Sequence, residues 1–160
     1  MPHAIDFGTM EMLLFIGIQA TGKSTFYRHH FFRTHVRLNL DMLKTRHREA
    51  LLLKACLESK TPFVVENTNV TRQERARYIQ PARDAGFRII GYFFESRSAD
   101  AVKRNRERPE PDRVPAVAIH TASKRLQPPS LAEGFDTLHF VRLHSPNVFE
   151  IQEWQNEIQM

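Results

Sequence analysis

Cysteine is almost absent from this chain. Cys56 is the only one in 160 residues, so no disulfide can form within the chain, and its place in the apolar run Leu51–Leu57 marks it as a small core residue. No apolar stretch is long enough to span a membrane. The first residues, with Asp6 and no basic region leading into an apolar core, do not read as a secretory signal, which points to a cytoplasmic protein. Internal repeats and low-complexity tracts are missing, and the length suits one α/β domain. The histidines show no metal-ligand spacing beyond the adjacent pair His29 and His30. Acidic residues are outnumbered: a formal charge of +5 and a pI near 9.7 favour a polyanionic partner.

The most informative segment present is Gly17-Ile18-Gln19-Ala20-Thr21-Gly22-Lys23-Ser24, which fits the phosphate-binding pattern G-x-x-x-x-G-K-[ST] directly after the apolar run Met12–Ile16. A buried strand must deliver such a turn to a helix N-terminus, whose unpaired N–H groups cradle a triphosphate. Gly17 and Gly22 let the backbone wrap the phosphates, with Gln19, Ala20, Thr21 and Thr25 completing the cradle. Lys23 neutralises the β/γ charge, and Ser24 offers a hydroxyl to Mg2+. ATP and Mg2+ are the expected cofactors.

Short apolar runs alternate with longer helical patterns, the signature of βαβ units and a parallel sheet. Strands are expected near 12–17, 35–40, 63–66, 89–95 and 138–143. Helices are expected over 23–32, 41–59, 71–85 and 98–108, with another from about 114 to 126. Thr71 with Glu74 is a capping-box start, and Gly86 is placed to end that helix. The polar stretch 104–113, with Pro109 and Pro111, opens a helical lid spanning about 104–127. This gives a three-layer α/β/α sandwich of P-loop kinase type, with a parallel sheet of about five strands. The domain covers 11–146, after a flexible leader at 1–10 and before a tail at 147–160. In that tail Phe149, Ile151, Trp154 and Ile158 suggest a short amphipathic helix.

No Asn-Lys-x-Asp guanine-reading motif and no Asp-x-x-Gly after the third strand occurs, which argues against a GTPase. Ligands in open parallel sheets lie beyond the carboxyl ends of the strands. The segments Asn39–Asp41, Glu66–Asn69 and Arg104–Arg108 should therefore ring the loop. Asp41 is a candidate base, with helix N-cap as its structural alternative. Glu66 stands at a strand end where a Mg2+-positioning carboxylate belongs.

The pieces Gly22–Phe26, Asn39-x-Asp41, Asn67-Thr68-Asn69, Ala76–Arg83, Asn105-Arg106-x-Arg108 and Pro128–Phe135 together resemble the polynucleotide 5′-hydroxyl kinases of the P-loop superfamily, over nearly the whole chain. The resemblance implies transfer of the ATP γ-phosphate to the 5′-hydroxyl end of DNA or RNA, with Asp41 as general base. It makes Arg106 and Arg108 lid arginines that clamp phosphates, with Arg104 beside the nucleotide. Asn39, Lys44, Asn67, Thr68 and Asn69 then face the acceptor. The chain departs from the pattern at Leu40, where relatives often carry arginine, and at Lys44, where some carry arginine; Lys44 or Arg46 are candidates to compensate. No Asp-x-Asp phosphatase or Lys-x-Asp-Gly ligase motif is present, so those activities would come from a partner. A small-molecule kinase on the same scaffold and a non-catalytic ATP-binding regulatory module remain the alternatives. An open basic channel at Asp41 separates the first reading from a closed metabolite cavity, and an Asp41 turned away from the loop would favour the last.

Overall fold

The computed structural model describes residues 9–154. At its centre runs β1 (Glu11–Ile16), in which every residue from Met12 onward is buried, as required of a strand covered on both faces. Side-chain alternation divides it between two cores. Met12, Leu14 and Ile16 pack with Val65, Tyr78, Ile79 and Phe93 on one side. Leu13 and Phe15 pack with Phe26, Tyr27 and Phe94 on the other.

Around β1 lie β2 (Val36–Leu38), β3 (Phe63–Glu66), β4 (Arg88–Phe94), β5 (Thr137–Ser145) and β6 (Val148–Glu153), in the order β2-β3-β1-β4-β5-β6. All neighbours are parallel except β5 and β6. Helix α1 (Lys23–His30) supplies Phe26 and Tyr27 to one core. On the opposite face, α3 (Arg46–Ser59) supplies Cys56 and α4 (Arg72–Asp84) supplies Tyr78, Ile79 and Ala82, which completes the three layers. The Thr71–Glu74 capping box is formed, and Cys56 is a buried free thiol, as read from the sequence. No helix among the described residues is long and apolar enough to cross a membrane.

Helix α5 (Ser98–Glu107) leads into the stretch read as a lid, and α6 (Ala116–Arg125) lies within it. Their Ala101, Ile119 and Ala122 form a third cluster with Ile18, Ala20 and Val70, so both helices rest on the phosphate loop itself. Asn105 ties the connection down: its amide donates to the Val114 carbonyl and its oxygen accepts from the Val114 N–H.

Two expectations change. The segment read as one helix over 41–59 is two, α2 (Leu40–Leu43) and α3, because Lys44 turns at φ 74° and Thr45 starts a new helix by accepting from the Arg48 N–H. The described part of the tail forms the sixth strand, Val148–Glu153, rather than a helix, and Ile158 lies outside the described residues. Phe149 and Trp154 stand an odd number of residues apart and so serve opposite faces of the sheet. Phe149 meets Phe26 at 5.2 Å, while Trp154 packs on Phe93 at 4.9 Å and donates its indole N–H to the Pro129 carbonyl. The leader lies outside the described residues apart from Thr9 and Met10. Met10 packs on the core and its carbonyl accepts from the Arg88 N–H.

Candidate active site

The phosphate loop is held in shape by contacts within the chain. Gly22 adopts φ 95° to turn the chain into α1, and a Cβ there would stand 2.9 Å from Phe149 Cε1, so both backbone and space call for glycine. The Gly17 N–H donates to the Thr68 carbonyl at 2.9 Å, the Ile18 N–H to Ser96 Oγ, and Thr21 Oγ1 to the Ile18 carbonyl. Lys23 is folded back over the loop, with Nζ donating to the carbonyls of Gly17 (2.8 Å) and Ile18 (2.7 Å). Burial pulls its ammonium down to about 8, partly opposed by the Glu66 carboxylate.

At the end of β3, Glu66 is buried and shared. Ser24 Oγ donates to its Oε1 at 2.6 Å, and Arg37 Nε donates to its Oε2 at 2.6 Å. Asn39 Nδ2 donates to the Glu66 carbonyl at 2.7 Å, and Asn39 Oδ1 accepts from the Met42 N–H, so Asn39, not Asp41, caps α2. A hydroxyl and a carboxylate oxygen in contact are hard donors that suit Mg2+. No group of His, Cys, Asp and Glu among the described residues could hold a metal alone, so such an ion would need nucleotide oxygens as well.

Behind this floor lies a second polar layer that the sequence reading missed. The Leu40 N–H donates to Asn67 Oδ1, Asn67 Nδ2 donates to Glu49 Oε2, and the Tyr78 hydroxyl donates to Glu49 Oε1 at 2.8 Å. Arg46 reaches both Glu49 and Tyr78. Burial and the Glu49 carboxylate push the Tyr78 phenol up to about 12, so it stays a neutral donor. This chain of contacts fixes the first turn of α2, and with it the backbone of Asp41.

Asp41 itself is exposed at the mouth of a cleft of about 370 Å3, together with Lys23, Ser24, Arg37, Glu66 and Arg108. Across the loop a second cleft of about 510 Å3 lies between α5 and the β5–β6 hairpin, lined by Gly22, Thr25, Arg104, Leu143 and His144. Arg108 borders both clefts. Arg104 donates to the Ala20 carbonyl at 3.3 Å. Gln19 also lines the first cleft, with its buried Oε1 lacking a donor among the described residues.

Other sequence candidates lie elsewhere. Arg106 is exposed and borders neither cleft, because it projects from a different face of α5 than Arg104, while Arg108 lies just past the helix end in extended backbone. Lys44 is exposed at the end of α2 and also borders neither. Asn67 and Thr68 line the cleft, but Asn69 is buried at φ 49° and spends its amide on the Phe15 carbonyl. Nor does Arg46 compensate for Leu40, since it is held in the Glu49 layer; the cation actually beside Ser24 is Arg37. The available signal was an arginine inside a short strand otherwise ending in apolar Leu38, two residues before Asn39.

The Pro128–Phe135 segment proves to be scaffold. Ser130 and Glu133 form a capping box, and Glu133 grips the fully buried Arg75 in a bidentate pair, 2.7 and 3.0 Å. Arg75 Nη1 donates in turn to the carbonyls of Asn69 and Val70, so this segment holds the loop that the phosphate cradle leans on.

Comparison with known proteins agrees with this architecture. The chain is 26% identical over 135 residues to the bifunctional polynucleotide phosphatase/kinase of Schizosaccharomyces pombe. That match takes in 82% of this chain but 33% of the relative, so the chain spans about a third of its length. Among solved structures, Chaetomium thermophilum Kti12 in complex with ADP-AlF3 superposes with a TM-score of 0.67 at 12% identity, covering 83% of this chain and 89% of that one. A gluconokinase from Sinorhizobium meliloti 1021 gives 0.61 at 16% identity, covering 87% and 86%. These likenesses show a P-loop kinase fold. A family model described as AAA domain, AAA_33, matches residues 45–129, from the start of α3 through the lid and up to the segment that grips Arg75, and the chain belongs to that family.

Proposed function

We propose that the chain is an ATP-dependent phosphotransferase whose acceptor is the 5′-hydroxyl end of a DNA or RNA strand. The observation that carries this reading is the position of Asp41, which opens to solvent at the mouth of the cleft that holds Lys23 and Ser24. The likeness to a polynucleotide phosphatase/kinase supports the acceptor class. An exposed mouth suits a strand end better than an enclosed metabolite, and an Asp41 that lines the same cleft as Lys23 argues against a purely regulatory nucleotide-binding role.

In this reading the triphosphate displaces the Gly17 and Ile18 carbonyls from Lys23, which then pairs with the β/γ oxygens. Ser24 and Glu66 would hold Mg2+, which supplies charge neutralisation when bound. Asp41 accepts the proton of the acceptor hydroxyl as its oxygen bonds to the γ-phosphorus and the bond to the β–γ bridging oxygen breaks, releasing ADP. Arg108, placed between the two clefts, and Arg104 are the guanidinium groups available to the phosphates. A lid closure that brought Arg106 inward would restore it to this set.

The test is γ-phosphate transfer from ATP to 5′-hydroxyl DNA, 5′-hydroxyl RNA and a metabolite panel. Transfer to oligonucleotides should improve with length, and affinity should fall with salt at a log–log slope of about −0.7 per neutralised phosphate. Efficient phosphorylation of a metabolite with no transfer to oligonucleotides would assign the small-molecule reading instead.

A further inference from the structure

Glu66 carries more partners than a metal-positioning carboxylate needs. Its side chain is 3% exposed, and Oε2 is taken by Arg37 Nε at 2.6 Å with Asn39 Nδ2 at 3.3 Å. Only Oε1 faces Ser24. The guanidinium is held on a second side by Tyr27, with Cζ 5.8 Å from the ring centroid, while the Tyr27 hydroxyl is anchored to the His35 carbonyl. Its Nη2 reaches to 3.4 Å of Ser24 Oγ, so a fixed positive charge borders that hydroxyl and the far oxygen of the carboxylate that would meet a divalent ion.

We propose that Arg37 is a built-in counter-cation of Glu66 that sets how much divalent metal the nucleotide site requires. The inference rests on Ser24 and Glu66 as the metal-facing oxygens. Without a ligand, a carboxylate this buried needs a positive partner, and Arg37 provides it. The same partner weakens the site for a metal in two ways. It occupies one carboxylate oxygen and withdraws charge from the other, and it places a like charge close to the incoming cation in a partly desolvated cleft. Metal therefore enters only with enough nucleotide phosphate to outweigh Arg37, which couples metal occupancy to nucleotide occupancy.

The experiment titrates MgCl2 against binding of mant-ADP to the full chain, with no acceptor and no turnover. Arg37→Met keeps the stem on Tyr27 but removes the charge, and its half-saturating Mg2+ should fall about tenfold, equivalent to about 1.4 kcal/mol. Arg37→Lys should stay within about twofold of the parent, and metal-free mant-ADP affinity should be unchanged in both. In a Glu66→Gln background, Arg37→Met should lower the half-saturating Mg2+ by clearly less than in the parent, because only the like-charge repulsion is left to remove; an undiminished effect there would overturn the counter-cation role. Should Arg37→Met fail to fold, Arg37→Gln, which retains a donor to Glu66 without charge, carries the same expectation. An unchanged Mg2+ requirement in the charge-removing variant overturns the proposal. So does a drop in metal-free affinity, which would make Arg37 a direct phosphate ligand. Failure of the parent chain to bind mant-ADP at any Mg2+ concentration is a separate result that removes the nucleotide site itself.

Discussion

Arg75 offers the sharpest test of how the scaffold supports the site. Its side chain is fully buried and that of Glu133 is 3% exposed. Four of the five guanidinium N–H groups have acceptors: two carboxylate oxygens and the carbonyls of Asn69 and Val70. Arg75→Met fills much of the same volume but strands a buried carboxylate and two buried carbonyls. Breaking a buried pair from one side costs about 3–5 kcal/mol, against a total stability of about 5–15 kcal/mol for an ordinary domain. At this chain length that corresponds to a Tm lowered by about 6–20 °C. Urea and thermal unfolding measure the loss. The double variant Arg75→Met/Glu133→Leu removes both charges, so it should recover most of the loss even though the two carbonyls stay unpaired. A functional consequence follows from the neighbouring contacts. Thr68 holds the Gly17 N–H and Asn69 holds the Phe15 carbonyl, so Arg75→Met should also weaken nucleotide binding at temperatures where the protein is still folded. A loss below about 1 kcal/mol, or a double variant no more stable than the single, would refute the reasoning.

Three further outcomes follow from the site. Burial lowers Lys23 from 10.5 to about 8, so between those values the unfolded chain binds the extra proton. The lysine's own contribution to stability therefore rises with pH across that window, while nucleotide affinity, which needs the charge, falls by up to about tenfold per pH unit above 8. Calorimetry in buffers of different ionisation enthalpy should show proton uptake on binding, and a flat affinity from about pH 7 to 9.5 would remove Lys23 as the phosphate ligand. Asp41→Asn should lower the transfer rate by about 10²–10⁴-fold with ATP affinity and thermal stability retained, since Asn39 caps the helix; near-full turnover would leave Asp41 without a role as base. Gly22→Ala should cost about 1–3 kcal/mol by unfolding and should weaken mant-ADP binding, because it combines φ 95° with a 2.9 Å approach to Phe149. Adding Phe149→Ala should relieve only the contact part.

The loop, the parallel sheet and the helical crossovers were legible because each has a local cause: glycines at a turn, apolar runs covered on both faces, and caps such as Thr71 with Glu74. What escaped depended on partners far away in the chain. The sixth strand forms because β5 offers an open edge, and the residue spacing of Phe149 and Trp154 fits a strand only once both faces of the sheet are known to be covered. The break at Lys44 is marked by Thr45, an N-cap residue that reads as one more polar helical position until the turn before it is seen. Arg37 was missed for a similar reason, since nothing near it in sequence tells which strand-end carboxylate it meets.

The two asparagine motifs show why matching residues to a family overstates the number of chemical groups. Asn39, Asn67 and Asn69 all sit at strand ends around the loop, yet each spends its side chain on the protein: on Glu66 and the α2 cap, on Leu40 and Glu49, and on Phe15. Their joint effect is to hold β1, β3 and the start of α2 in register around the phosphate cradle. Asp41 is different, for it makes no side-chain hydrogen bond or ion pair among the described residues and is exposed in the cleft. A carboxylate with no duty in the fold, carried on a turn that several buried contacts hold still, is positioned at little cost to stability. Positional precision comes from Asn67, Glu49 and Tyr78, and chemical availability comes from leaving Asp41 unengaged. The same division separates Arg75, consumed entirely by the scaffold, from Arg108, which borders both clefts.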